Sequence, residues 1–197
     1  MGNITNKPLY FLISFGHCGI DWIHSLFDSH RQILITPAFN FYKSWKVLNA
    51  HKITSTFEMH SLWMNYFLNN PDMLSKETRL FANEEQYDIF SKSLKDNLDN
   101  YGLLRINVFN AIHDSYSQTI NPDWQPKIII AEEHINLPLE TILLDFPNSK
   151  IIFIVRDPRA AINGYMKLFS KKYADLPDYF DHYFNIAYEQ WFLAWDV

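Results

Sequence analysis

The stretch LYFLISFGHCGIDW, residues 9–22, decides the fold, because a run of strand-forming apolar residues leads through two glycines into a helix. We predict a buried strand at Leu9–Ser14 and a helix at Asp21–Ser29, with Asp21 as its N-cap. Gly16 and Gly19 lie between them. A glycine loop that opens onto a helix N-terminus presents backbone N–H groups and the positive end of the helix dipole to an anion. The stretch therefore predicts an anion-binding loop.

A second stretch, IIFIVRDPRAAINGY at residues 151–165, has a similar organisation. We predict a strand at Lys150–Val155 that ends at Arg156, followed by a helix at Pro158–Ser170. A guanidinium group at the end of a strand can hold a phosphate through two parallel hydrogen bonds. Two anion-binding points on neighbouring strands indicate a ligand with two separated anionic groups. We therefore predict that the ligand is a phosphorylated nucleotide.

The rest of the chain indicates an α/β protein. Further strands are predicted at Gln32–Ile35 and Lys127–Ala131, further helices at Leu139–Asp145 and Tyr183–Trp195, and several helices within residues 40–125. Strands that alternate with helices favour a parallel sheet with its ligand at the carboxyl ends of the strands. We therefore predict a single three-layer α/β/α domain over residues 1–197, with a helical insertion at about 40–125 that lies over one edge of the central parallel sheet.

Composition excludes several classes of protein. Apolar residues make up 48% of the chain and aromatic residues 17%, which is incompatible with intrinsic disorder. The net charge is −5 and no run of Lys or Arg occurs, so we expect neither nucleic acid nor an anionic membrane as a partner. Cys18 is the one cysteine, which rules out an internal disulfide framework. We expect a cytoplasmic protein.

Three segments resemble the sulfotransferase family. GHCGIDW at 16–22 resembles the 5′-phosphosulfate loop, whose common form is Pro-Lys/Arg-Ser-Gly-Thr-Thr-Trp/Leu, and IVRDPRAAINGY at 154–165 resembles the 3′-phosphate-binding segment. IIIAEEHINLP at 128–138 is similar to a strand that ends in Lys-Thr-His-Leu-Pro in cytosolic members, and His134 lies 22 residues before Arg156, a separation similar to theirs. The resemblance implies the P-loop NTPase-like sulfotransferase fold.

The resemblance also implies a reaction and a set of site residues. The donor would be 3′-phosphoadenosine 5′-phosphosulfate, the acceptor a hydroxyl on a carbohydrate or another small metabolite, and no metal would be required. The residues that would bind the donor are Gly16, His17, Cys18, Gly19, Ile20, Asp21 and Trp22 at the phosphosulfate, and Arg156, Asn163 and Gly164 at the 3′-phosphate. The catalytic residues would be His134 as general base, Glu133 as the second candidate for that role, and His17 as the cation beside the leaving group.

The chain departs from the family pattern at several of these positions. His17 replaces the loop lysine or arginine, Cys18 replaces a serine, and Ile20 and Asp21 replace two threonines. Gly164 replaces the serine that binds the 3′-phosphate in the family, and Asn163 beside it is a substitute hydrogen-bond donor. Glu132 and Glu133 stand near the position of the lysine in the Lys-Thr-His-Leu-Pro motif of cytosolic members. FNIAYEQWFLAWDV, residues 184–197, reads as a helix that is still in progress, so we expect an incomplete C-terminus.

Alternatives therefore stay open. The chain could be a non-catalytic nucleotide- or partner-binding domain of the same fold, or a P-loop-type kinase, although no Gly-Lys-Ser/Thr occurs in the loop. Glu133 and His134 just after a strand could be structural, and Arg159 is expected at the surface. Phe39, Phe41, Tyr42 and Trp45 could line a sugar site, but aromatics at this density are expected in the core. We expect Cys18 not to be a nucleophile, and His17, Asp21 and His24 not to bind a metal.

Overall fold

The structure is a computed structural model that describes residues 6–14, 18–28, 30–37, 40–69, 80–121, 123, 125–134, 139–173 and 184–185. The strands are β1 (Leu9–Ser14), β2 (Ile33–Ile35), β3 (Ile128–His134) and β4 (Lys150–Ile154). The helices are α1 (Ile20–Phe27), α2 (Phe41–Val47), α3 (Thr56–Asn69), α4 (Glu84–Tyr101), α5 (Arg105–Ile120), α6 (Leu139–Asp145) and α7 (Pro158–Tyr173), with a short 3₁₀ helix at Ala50–Lys52. None of the helices within these ranges is long and apolar enough to cross a membrane.

The described strands form a parallel sheet in the order β2-β3-β1-β4. Ser14, the last residue of β1, lies opposite His134 on one side and Ile154 on the other. β1, β3 and β4 therefore end at the same level, and the segments that follow them leave from one edge of the sheet. The predicted α/β class and parallel sheet are confirmed.

Helix α1 covers one face of the sheet. Because side chains alternate along a strand, Leu12 of β1 and Ile130 of β3 point to the same face, where they pack with Ile35 and with Ile20 of α1. Leu12 is fully buried. This small apolar cluster fixes the first turn of α1 against the sheet, directly above the end of β1.

The helical insertion covers the opposite face of the sheet. The sequence had indicated a position over one edge, so that part of the prediction was wrong. Phe11 and Ile13 of β1 pack there against helices α2 to α6 in one continuous core. Phe41 of α2 stacks on Trp63 of α3 with ring centroids 5.3 Å apart. The wide aromatic side chains of the insertion supply this layer with its core, because each ring buries a large apolar area. Phe41, Tyr42 and Trp45 are all buried, as expected for core residues.

Two element boundaries that bear on the site differ from the sequence prediction. α1 begins at Ile20 and its N-cap is Gly19, so Asp21 lies in the first turn and the prediction of an Asp21 N-cap was wrong. β3 extends to His134 instead of ending at Ala131, which places Glu132, Glu133 and His134 inside the strand rather than after it. The helix predicted at Tyr183–Trp195 lies outside the described residues apart from 184–185.

Gly19 is required by its backbone conformation and not by a lack of space. Its φ is +88°, and a Cβ built at this position meets nothing within 4 Å. We expect Gly19→Ala to lower the free energy of unfolding by about 1 kcal/mol, because an L-residue is strained in the left-handed region. Urea unfolding measures this effect, and Gly19→Asn should recover part of the loss since asparagine tolerates that region. Equal stability of the alanine variant and the wild type would contradict the assignment.

Candidate functional site

The loop after β1 and the segment after β4 are in contact at the carboxyl edge of the sheet. Cys18 is buried, and its thiol takes a hydrogen bond from the backbone of Arg156. Burial raises the pKa of the Cys18 thiol, while the backbone hydrogen bond and the charge of Arg156 act in the opposite direction. The two anion-binding segments predicted from the sequence therefore meet, and the thiol stays protonated, which is unfavourable for a nucleophile.

The N-terminus of α1 faces this edge without a side-chain cap. Its N-cap residue is Gly19, which has no side chain to accept from the first-turn amides. Asp21 and Trp22 in the first turn are exposed, Trp22 to 67%. Uncapped amides at a helix N-terminus can bind an anion, although the exposed Asp21 carboxylate lies on the same turn. Gly16 and His17 lie outside the described residues.

Of the predicted 3′-phosphate residues, Arg156 precedes α7, and Asn163 and Gly164 lie in its second turn. Arg156 and Asn163 are exposed and Gly164 is half-buried. Asp157 accepts hydrogen bonds from the backbone N–H and the guanidinium group of Arg159, with the shortest contact at 2.6 Å. Arg159 lowers the pKa of Asp157 to about 2. Because the side chain of Arg159 is 89% exposed and already paired, its prediction as a surface residue is confirmed.

Glu132 connects β3 to α1. Its carboxylate lies 2.8 Å from Nδ1 of His24, and its side chain is only 1% exposed. The pair holds α1 on the sheet, since a buried carboxylate needs a partner to compensate for lost hydration. His24 is therefore engaged with the sheet. No group of three potential metal-ligating side chains occurs in the ranges that the structure describes.

Glu133 connects the same strand to the opposite layer. Its Oε1 atom accepts a hydrogen bond from the backbone N–H of Tyr42 at 3.1 Å, and the backbone of Phe41 also contributes. Its Oε2 atom is buried and has no hydrogen-bond partner among the described residues. Burial raises the pKa of Glu133 to about 8 against the effect of these backbone bonds, and the nearby Glu132 adds to the increase. Glu133 thus anchors the start of α2 through Oε1, while Oε2 forms no hydrogen bond with the described residues.

A partly buried polar network beside Glu133 was not predicted from the sequence. The hydroxyl of Tyr42 donates to Asp145 at 3.0 Å, and Arg105 binds both oxygens of that carboxylate at 2.6 and 2.9 Å. Burial raises the pKa of Tyr42, and the charge of Asp145 adds to it. The network ties α2, α5 and α6 together. Its members lie 40 to 103 residues apart, so no local pattern could have indicated it.

Ser14 and His134 end their strands side by side. Ser14 is fully buried, and its hydroxyl has no hydrogen-bond partner within the described ranges. His134 is placed by its backbone at the end of β3, while the position of its side chain lies outside the described residues. The predicted base therefore occupies the edge of the sheet at which Cys18 and Arg156 meet.

A surface cleft of about 260 Å³ lies elsewhere, beside the edge strand β2. Its lining residues include Asp28, His30, Ile120 and Asn121. None of the site residues predicted from the sequence lines this cleft. The carboxyl edge of the central strands is therefore the better candidate, because it collects the loops that the parallel topology brings together.

The charge state of Glu133 should be visible in the stability of the protein. Its pKa is raised from an ordinary 4.5 to about 8, so its contribution to stability is complete below pH 4.5 and is lost as the pH rises through 8. Burial lowers the pKa of His113 from 6.5 to about 4, so this residue makes the free energy of unfolding rise with pH. That rise is complete above pH 6.5. Between pH 6.5 and 8 we therefore expect the free energy of unfolding to fall, and among the groups that the structure describes the fall comes from Glu133.

Urea unfolding across this interval measures the effect. Glu133→Gln should remove the fall, because glutamine does not titrate. Glu140→Gln, at an exposed position of α6, is the matched control and should leave the fall unchanged. A slope that persists in the Glu133 variant would show that another group is responsible.

Comparison with known proteins adds one finding. A family model described as "Sulfotransferase family" matches residues 8–197, which is nearly the whole chain. The match includes both predicted anion-binding segments, β3 and helices α2 to α5. Neither a curated protein nor a solved structure matches the chain.

Proposed function

We propose a specific reaction for this chain, which belongs to the sulfotransferase family: it moves a sulfuryl group from 3′-phosphoadenosine 5′-phosphosulfate to a hydroxyl acceptor on a carbohydrate or another small metabolite. Membership of the family supports sulfuryl transfer in general. The observation that supports the finer proposal is the contact between Cys18 and the backbone of Arg156, because it joins the two predicted anion-binding segments at one edge of the sheet.

In this proposal the donor lies across the joined segments. The loop at residues 16–22 and the N-terminus of α1 hold the 5′-phosphosulfate, and Arg156 holds the 3′-phosphate. Asn163, in the second turn of α7, supplies its side-chain amide to the 3′-phosphate site, and Gly164 follows it in the helix. Amide dipoles and a guanidinium group suit these roles, since both recognise phosphate oxygens directly.

The chemistry is an in-line displacement at sulfur. The acceptor oxygen forms a bond to sulfur while the bond from sulfur to the bridging oxygen of the donor breaks, and negative charge accumulates on that oxygen. His17 in its protonated form and the loop amides stabilise this charge. His134 takes the proton from the acceptor hydroxyl, and Glu133 is the second candidate for this role. The products are a sulfate ester and 3′,5′-adenosine bisphosphate.

A second candidate function is donor binding without turnover. It is favoured by His17, which stands where the family has a permanently charged lysine or arginine, and by Gly164 in place of a serine. A histidine with an ordinary pKa near 6.5 is only partly protonated at neutral pH, so it provides less positive charge beside the leaving group.

Calorimetric titration with 3′,5′-adenosine bisphosphate tests the proposal, with ATP and magnesium as the comparison. Selective micromolar binding of the bisphosphate is the expected result. Transfer from the donor to a panel of hydroxyl compounds then separates an active enzyme from a binding domain. Binding of ATP with magnesium in preference to the bisphosphate would support a kinase instead, and binding of neither nucleotide would refute the donor site.

A further inference from the structure

One ion pair joins helix α1 to the sheet. Oε2 of Glu132 lies 2.8 Å from Nδ1 of His24, across 108 residues of sequence. The side chain of Glu132 is 1% exposed and that of His24 is 18% exposed, so most of this contact is shielded from solvent. A carboxylate can only accept hydrogen bonds, so Nδ1 of His24 carries the proton and donates it. Such a charge-assisted bond allows only a narrow range of length and direction.

The remaining contact between α1 and the sheet is apolar. Ile20 is the buried residue of α1, and Ile23 and Phe27 pack at the border of the same cluster. These three residues and His24 recur at intervals of three or four positions, so they lie on one face of the helix. Apolar packing has no preferred direction and tolerates small shifts of a short helix. The pair of His24 and Glu132 is the directional contact that the structure describes on this face.

The two partners belong to elements on which the proposed function depends. His24 lies about one turn after Ile20, the first residue of α1, whose N-terminal amides are proposed to hold the 5′-phosphosulfate. Glu132 lies opposite Leu12 of β1, two residues before β3 ends at His134, the proposed base. The pair therefore links the uncapped N-terminus of α1 to the strand that ends at this edge of the sheet.

A role in position explains this pair better than a role in stability. A buried ion pair seldom adds net stability, because apolar side chains of similar volume often serve as well. The first-turn amides of α1 receive no side-chain cap from Gly19, so their direction toward an anion depends on where the helix lies. Hydrogen bonds from these amides to a phosphate weaken steeply when the angle or the distance changes.

We propose that His24 and Glu132 are positioning residues, which hold the N-terminus of α1 in place for the 5′-phosphate end of the donor. The inference rests on the proposed function and assigns the contribution of the 5′ end to one contact between α1 and β3. The 3′-phosphate site does not depend on this contact, because Arg156 follows β4, and β1 separates β4 from β3 in the sheet.

Two nucleotides that differ only in the 5′-phosphate test the proposal, 3′,5′-adenosine bisphosphate and adenosine 3′-monophosphate. The ratio of their dissociation constants, measured by calorimetry on the whole chain, gives the contribution of the 5′-phosphate. We expect the wild type to bind the bisphosphate about 10- to 100-fold more tightly, the effect of charge-assisted hydrogen bonds. A variant that is only less well folded binds both nucleotides more weakly by the same factor, so its ratio does not change.

The variants at Glu132 separate the contact from the packing around it. Glu132→Met removes the acceptor but keeps the length of the side chain and leaves no unpaired buried charge, and it should reduce the ratio about tenfold. Glu132→Gln keeps an oxygen that accepts from Nδ1 of His24 and should recover most of the ratio. His24→Ala combined with Glu132→Met should resemble Glu132→Met alone, because the same contact is missing in both.

His60→Ala is the matched control. Nε2 of His60 in α3 lies 3.0 Å from the backbone oxygen of Ser91 in α4, so this variant also removes a partly buried histidine contact between two elements. It should leave the ratio unchanged. Circular dichroism verifies that each variant is folded.

Four outcomes would overturn the inference. A wild-type ratio in both Glu132→Met and the double variant refutes the positioning role and leaves the donor site intact. A loss of equal size in His60→Ala refutes it as well. Equal affinity of the wild type for the two nucleotides refutes the contact between α1 and the 5′-phosphate, while the 3′-phosphate site remains. Binding of neither nucleotide refutes the donor site and this inference together.

Discussion

Arg156→Ala is expected to weaken the binding of 3′,5′-adenosine bisphosphate about 10- to 100-fold. The guanidinium group would lose a charge-assisted contact with the 3′-phosphate, and such contacts are worth about 1.5–3 kcal/mol. Arg156 is exposed at the edge of the sheet, so its removal should leave folding nearly unchanged. The backbone hydrogen bond to Cys18 does not depend on the side chain of Arg156 and should persist. Calorimetry measures the change directly.

Arg159 is the matched control for this experiment. It lies three residues away at the start of α7, carries the same charge, and pairs with Asp157 at 2.6 Å. Arg159→Ala should therefore leave the affinity for the bisphosphate within about twofold of the wild type, since exposed ion pairs contribute little. Arg156→Lys should recover only part of the affinity, because an ammonium group cannot form the paired hydrogen bonds of a guanidinium. Equal losses in the two alanine variants would indicate a general effect of charge and no specific site.

The sheet was predictable from the sequence because its strands carry local signals. β1 has the predicted bounds Leu9–Ser14, and α6 has the predicted bounds Leu139–Asp145. In both elements the apolar residues are contiguous or periodic and the last residue is polar, Ser14 in β1 and Asp145 in α6, so a short window contains the whole pattern. The parallel arrangement followed from the alternation of strands and helices.

The end of β3 was not predictable because its stabilising partners are distant in the sequence. Glu132 and Glu133 look like the start of a polar loop, yet both are buried in the strand. Glu132 is stabilised by His24, 108 residues away, and Glu133 by the backbone of Tyr42, 91 residues away. A carboxylate is buried only where such a partner exists, and a single sequence does not reveal which helix supplies it.

The N-cap of α1 was also not predictable, although the residues that decide it are neighbours in the sequence. Asp21 is a favoured N-cap residue by type, but Gly19 adopts φ +88° and lets the helix begin one residue earlier. Asp21 in the first turn still interacts favourably with the helix dipole, so residue preference alone did not separate the two positions. The helical insertion was recognised as helical, but its packing on a face of the sheet depends on Phe11 and Ile13 of β1, far from it in sequence.

His134→Ala is expected to reduce the turnover number by about 10²–10⁴ and to leave bisphosphate affinity near that of the wild type. A general base acts in the transition state and contributes little to donor binding, so the two quantities should separate. His134 ends β3 opposite Ser14, which places its backbone at the edge where Cys18 and Arg156 meet. Transfer is measured from the donor to a hydroxyl acceptor identified in the panel, at saturating donor concentration.

Glu133→Gln distinguishes the base from its neighbour. Glu133 is held by the backbone at the start of α2 and is the second candidate for the base, so its variant should keep most of the turnover number if His134 takes the proton. The His134 variant should lower kcat, lose the acidic limb of the pH–rate profile, and regain activity with added imidazole, because imidazole can replace the missing base. Retained turnover in His134→Ala, with the acidic limb lost only in Glu133→Gln, would transfer the role of base to Glu133.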